Sequence, residues 1–172
     1  GYYNFSSKEK HAVQKYLEQL QVNDNDAEID KISKIEDGIK SNIVFNKDLE
    51  GDAAKDIDKV ITNKTANEEG YARLFTACFT LASVKHEFGV SSNRFEHPLD
   101  EDFENWNYLN TYVIYFPNEG QFLAPSYIYY RYPVVPPSLL TNKVILSKTT
   151  TIGDVTSAVA DIREVAPLPI KE

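Results

Sequence analysis

The chain has 172 residues, 42% of them apolar and 26% charged, which suits one soluble domain with a real core and is short of two comfortable ones. A net charge of −8, from 26 acidic and 18 basic residues, argues against a phosphate-backbone binder, which needs a basic face. A single cysteine excludes an internal disulfide and a zinc site of several thiolates, and no run approaches the ~18 apolar residues of a membrane span.

Helical patterns fill the first half. "SSKEKHAVQKYLEQLQ" opens on Ser6 with Glu9 three residues later, a capping box. Ala12, Val13, Tyr16, Leu17 and Leu20 then recur at helical spacing. After the polar break Asn23–Asp26, Ile29, Ile32, Ile35, Ile39 and Ile43 predict one apolar stripe on a second helix, which Gly38 weakens without ending. "FNKDLEGD" reads as a loop. Ala53, Ile57, Val60 and Ile61 mark a short third helix ending near Asn63.

The fourth helix lies in "ANEEGYARLFTACF", residues 66–79. Tyr71, Leu74, Phe75, Cys78, Phe79 and Ala82 share one face, widened by Leu81, so this most hydrophobic helix is expected at the centre of the fold. Thr65 followed by Glu68 fits a second capping box, worth ~1 kcal/mol with the helix dipole. That role favours an ionised Glu68, the wrong form for a general acid.

Beyond Val84 the period changes to two. His86, Phe88 and Val90 predict a strand, with His86 able to face Tyr112 across a sheet. "NRFEHPLDEDFENW" is an acidic loop. Asn110–Phe116 is a strand rich in aromatic and β-branched residues, turned by Pro117–Gly120 into a hairpin with Gln121–Leu123. "YIYYRYPVVPPS" is irregular, and Val144–Leu146 and Thr156–Val165 are further strands. There is no internal repeat and no low-complexity linker. Helices first and strands afterwards predict an α+β fold, an antiparallel sheet packed on a buried central helix.

Several residues invite chemistry. Cys78 is the only thiol, but its place on the apolar stripe makes it a small inert hydrophobe. His11, His86 and His97 share no helical ligand spacing. Asp24 with Asp26, and Asp100, Glu101, Asp102 and Glu104, lack the pattern of a calcium loop. No cofactor or metal is therefore expected. Trp106, Tyr108, Tyr127, Tyr129, Tyr130, Arg131 and Tyr132 group rigid aromatics beside an arginine. Such a set forms either a protein- or glycan-binding face or sheet-edge filling.

"NEEGYARLFTACF", "EFGVSSNRF", "FENWNYLNTYVIYFP" and "FLAPS…RYP" resemble transglutaminase-like proteins of Bacteroidetes-type bacteria, whose core has the papain-like fold. The resemblance spans about residues 29–146, with 147–172 as a C-terminal strand extension of a single domain. In that superfamily the central helix opens with a cysteine four residues before a small residue. Here Ala72 is the small residue, and four places back stands Glu68. The family's histidine, at the start of the next strand, falls on Tyr112. Its aspartate, before a proline, falls on Ala124.

A thiol nucleophile needs thiolate character, a base within reach and a group to orient that base. On this alignment all three are replaced. The resemblance therefore implies a pseudoenzyme: an interaction or structural module of a larger, periplasmic or cell-envelope protein with neighbouring domains and a protein or glycan partner. One alternative is a peptide- or glycan-binding module using the former substrate cleft, with Trp106, Tyr108, Tyr129, Tyr130 and Arg131 as contacts. Another is a hydrolase using Glu68 as a carboxylate catalyst.

Overall fold

A computed structural model describes residues 4–93, 95, 109–152 and 155–169. The architecture is α+β, and the chain forms two compact units, Gly1–His86 and Glu87–Glu172.

The first unit is helical. Helix α1, Ser7–Gln19, starts at the expected capping box: the Ser6 hydroxyl accepts from the Glu9 amide, and the Glu9 carboxylate accepts from the Ser6 amide. Helix α2 is Glu28–Asn42, and α3 is Ile57–Asn63, preceded by a 3₁₀ turn at Asp52–Ala54. Helix α4, Glu68–Leu81, contacts the other three helices and is the core of this unit. Tyr71, Leu74, Phe75, Cys78 and Phe79 are completely buried. Tyr71, Phe75 and Phe79 form a ladder of rings with centroids 6.1 and 5.9 Å apart.

The isoleucine stripe of α2 is corrected at one position. Ile32, Ile35 and Ile39 have no exposure and Ile43 only 3%, but Ile29 is 48% exposed. Each three-residue step falls short of the 3.6-residue turn, so two such steps carry Ile29 off the buried face. A Cβ on Gly38 would lie 2.3 Å from the end of the Leu20 side chain.

The capping assignment at α4 is also corrected. Strand β1, Val44–Phe45, pairs in parallel with β2, Thr65–Ala66. The Val44 amide donates to Lys64 O and the Asn46 amide to Ala66 O, which holds the chain extended through Ala66. The N-cap is therefore Asn67, whose side-chain oxygen accepts from the Gly70 amide at 2.9 Å. Glu68 and Glu69 remain in the first turn.

The second unit is an antiparallel five-stranded sheet of order β5-β4-β3-β6-β7. Its strands are β3 (Glu87–Ser91), β4 (Thr111–Phe116), β5 (Gln121–Leu123), β6 (Lys143–Ile152) and β7 (Val155–Glu164). Val113, Tyr115, Phe122, Val144, Leu146 and Val165 belong to one buried cluster. Gly89 lets β6 side chains lie over β3, since a Cβ there would meet Leu146 Cδ2 at 2.7 Å and Val144 Cγ1 at 2.8 Å. Asn142 ties the start of β6 to the end of β3: its amide donates to Ser92 O at 2.7 Å and to the Ser91 hydroxyl at 3.3 Å. Arg163 on β7 donates to the Tyr115 hydroxyl at 2.9 Å, and its guanidinium lies 4.7 Å from that ring's centre.

Candidate functional site

Chemistry in the first unit turns on α4. Cys78 lies beyond the helix midpoint on its core face and is fully buried. Burial pushes its thiol pKa up, away from the thiolate that nucleophilic chemistry needs. Tyr16 of α1 is likewise held neutral: burial raises its pKa, and the nearby Cys78 and Tyr71 add to the shift. The first turn presents carboxylates, Glu68 and Glu69, both partly exposed.

His86 ends this unit. Its Nδ1–H donates to Val84 O at 2.8 Å and its ring lies 5.6 Å from Phe79. Burial lowers its pKa against the opposing pull of that carbonyl, so the imidazole stays neutral. It does not face Tyr112 from a strand. Strand β3 begins at Glu87, and its register sets Val90 opposite Tyr112. The reason lies in the Val84 carbonyl, which takes the imidazole hydrogen bond before the ladder starts.

The other two family-aligned positions sit in the sheet unit. Tyr112 is a half-buried residue of β4 whose ring stands 5.2 Å from Phe88, a diagonal aromatic pair. Ala124 follows β5 and is 2% exposed within the sheet's apolar cluster.

Two concavities were not foreseen from the sequence. One, of about 380 Å³, opens where α1, the 3₁₀ turn and α4 begin, and is lined by Glu9, Asp52, Lys55, Asp56, Glu69 and Arg73 among others. Its charges largely satisfy one another. Arg73 donates to Glu9 at 2.8 Å, and Lys55 lies 3.7 Å from Asp52 and 4.0 Å from Glu69. Burial raises the Glu9 pKa, but hydrogen bonds from Ser6 and Arg73 outweigh it and hold the carboxyl below its ordinary value. Such a network is a structural clamp, its Arg73–Glu9 pair mostly buried and its Lys55 contacts open to solvent. The only sequence signal for it was the set of helix starts, which place acidic residues together.

The second concavity, of about 210 Å³, is apolar and lies in the sheet unit, lined by Phe122, Pro133, Val135, Leu140, Val165 and Leu168 among others. Beside it in sequence runs the tyrosine-rich segment. Its irregular path is fixed by its own hydrogen bonds. Tyr130 N donates to Tyr127 O, Val134 N to Arg131 O, and the Arg131 guanidinium to Ile128 O. Tyr127 and Tyr132 pack inward: Tyr127 borders the apolar cluster and Tyr132 stands edge-on to Phe116 at 5.2 Å. Tyr129 points out and is 90% exposed. Tyr130 and Arg131 are half-buried, with Arg131 spent on clamping its own loop. Trp106 and Tyr108, expected to join them, lie outside the described residues.

Among the described residues, no group of three or more histidine, cysteine, aspartate or glutamate side chains could hold a metal ion, and no helix is long and apolar enough to cross a membrane. Neither family models, curated proteins nor solved structures match the chain.

Proposed function

We propose that the chain is a transglutaminase-like domain of papain-like fold that has lost its reaction and serves as an interaction or structural module of a bacterial cell-envelope protein. One observation carries this reading: the sole thiol, Cys78, is wholly buried on the core face of α4, while the position where the family keeps its nucleophile holds Glu68. The remaining aligned positions support it. Ala124 has no polar group to orient a base, and Tyr112 is engaged as a sheet aromatic. Neither offers the base and orienter that a nucleophile requires.

The test is turnover. Purified protein is incubated with a glutamine-containing peptide, with and without a primary amine, and ammonia release and amine incorporation are followed. The expected result is no rate above that of Cys78→Ala and Glu68→Ala. Reproducible turnover that disappears in either variant overturns the proposal, and loss in Glu68→Ala alone makes the protein a carboxylate-based hydrolase.

A second reading, a peptide- or glycan-binding module, is favoured by Tyr129. An aromatic 90% exposed on a hydrogen-bonded loop is a rigid contact of low ordering cost. Titration with peptides and oligosaccharides checks it. Binding that weakens in Tyr129→Ala supports this role, and equal binding in both proteins removes it.

A further inference from the structure

The sheet ends in a long edge. Strand β7 is the last in the order, and it has ten residues against three for β5 at the other end. Among the described residues, no strand pairs with its outer side. Edges of this length template pairing with another chain unless they are blunted by proline, bulges or inward-pointing charge. Residues 155–164 contain no proline, and their register with β6 runs without a bulge from Lys143↔Glu164 to Ile152↔Val155; the charges of Asp161 and Arg163, on the face of Val144 and Leu146, restrict the edge to a partner that matches them.

Hydrogen-bonding direction follows from the ladder. The Val165 amide donates to Asn142 O, and Val165 O accepts from the Thr141 amide, so the backbone groups of residue 165 face β6. Backbone direction alternates along a strand. Residues 163 and 161 therefore also face β6, and residues 160, 162 and 164 turn their amides and carbonyls outward. An antiparallel pairing with a second copy uses this outer row with its two-fold axis on any one residue: an even number puts a hydrogen-bonded pair at the axis, an odd number a non-hydrogen-bonded pair.

We infer that the outer edge of β7 is a self-association surface, its residues 160–164 pairing antiparallel with the same five residues of a second copy about a two-fold axis at Ile162 and joining the two five-stranded sheets.

The side chains select this centre. With the axis at Ile162, Asp161 of each copy stands opposite Arg163 of the other, in the non-hydrogen-bonded pairs where side chains come closest. Moving the axis one step sets like charges face to face, Asp161 on Asp161 or Arg163 on Arg163, and moving it to 160 or 164 sets Asp161 against Val159 or Pro167, so the complementary charges no longer meet. Asp161 and Arg163 already interact within one strand at 3.1 Å, yet their side chains keep 36% and 41% exposure. The dimer extends that pair into a square of four charges, each beside two of opposite sign. Ile162, half exposed on the opposite face, meets its own copy at the axis, and Ala160 faces Glu164. Isologous pairing of this kind closes on itself and does not propagate. It stands independently of whether α4 carries a reaction.

The experiment combines solution mass and cross-linking on the full chain. The wild type is expected at twice the monomer mass by light scattering, dissociating on dilution. Ile162→Lys sets two like charges at the axis, and Asp161→Arg sets arginine against arginine. Both are expected as folded monomers, with unchanged circular dichroism. The exchange Asp161→Arg with Arg163→Asp is expected to recover the dimer. Facing positions in a hydrogen-bonded pair lie ~5.5 Å apart at Cα, within disulfide range, so Ile162→Cys should oxidise to a covalent dimer while Glu164→Cys does not. A wild type that stays monomeric at every concentration overturns the inference. So does a dimer that persists in Ile162→Lys and fails to cross-link through position 162.

Discussion

Replacing Gly70 by alanine tests the closest backbone approach in the helical unit. A Cβ at this position would lie 2.0 Å from Ala54 O, 3.1 Å from Ala54 C and 3.0 Å from Ala66 Cβ. Carbon and oxygen rest at ~3.3 Å or more, so α4 and the 3₁₀ turn must separate by roughly 1 Å. The blocking atom is backbone, which cannot rotate away. Overpacking of this kind costs ~1–3 kcal/mol. The same shift disturbs the Asn67 N–H to Ala54 O bond of 3.3 Å, worth ~1 kcal/mol. Against this, alanine gains about 1 kcal/mol over glycine in helix propensity, leaving a net loss of ~1–3 kcal/mol. Gly38→Ala is the control. There the obstacle is the end of the Leu20 side chain, which can change rotamer, so the loss should be smaller or absent. Urea unfolding followed by circular dichroism reads both through the midpoint at unchanged slope. A Gly70→Ala protein as stable as the wild type, or more stable, would refute the close packing of α4 on the 3₁₀ turn.

Three further outcomes follow from the same geometry. Asn67→Ala should cost ~1 kcal/mol as a lost N-cap, whereas Thr65→Ala should cost clearly less in the same unfolding assay; the reverse order would restore the cap to Thr65. Asn142→Ala removes the side-chain amide that donates to Ser92 O and accepts from the Lys143 amide, two hydrogen bonds worth ~1 kcal/mol each, read as a lower urea midpoint. His86 is held neutral, with its pKa below the ordinary 6.5. The unfolded chain then binds the proton more readily, so this contribution to stability is complete above 6.5 and is lost as pH falls toward the depressed folded value. The slope of stability against pH in that window should flatten in His86→Leu, and an equal slope in both proteins would contradict the assignment.

What the sequence could show depended on how local the physics was. The capping box of α1 needs only Ser6 and Glu9, and it forms as read. The apolar face of α4 and the hairpin of β4 and β5 follow from periodicity and a strong turn, and they too form as read. The β1–β2 pair was invisible because two residues per strand carry no period, yet it relocated the α4 cap by holding Thr65 and Ala66 extended. Helix ends were hard to read for a related reason. Helices α1 and α4 close through left-handed Gln21 and Ser83, with Val22 N bonded to Leu17 O and Val84 N to Phe79 O. No glycine marks either stop. The length of β6 was underread because Thr149, Thr150 and Thr151 are β-branched but show no alternation of apolar and polar residues. For the candidate site, the burial of Cys78 was legible from its place on the stripe. Which tyrosine of the 127–132 segment faces water was not, because that choice is made by hydrogen bonds within the loop.

Alkylation of Cys78 with iodoacetamide under native conditions tests most directly whether this thiol is core or nucleophile. A thiol reached only by unfolding, in a protein stable by ~5 kcal/mol or more, reacts at least ~10³-fold more slowly than in urea. That protection is expected, with labelling rising only as the fold is lost. Native labelling as fast as in the unfolded chain, or faster, would place Cys78 in an open, activated site and contradict it.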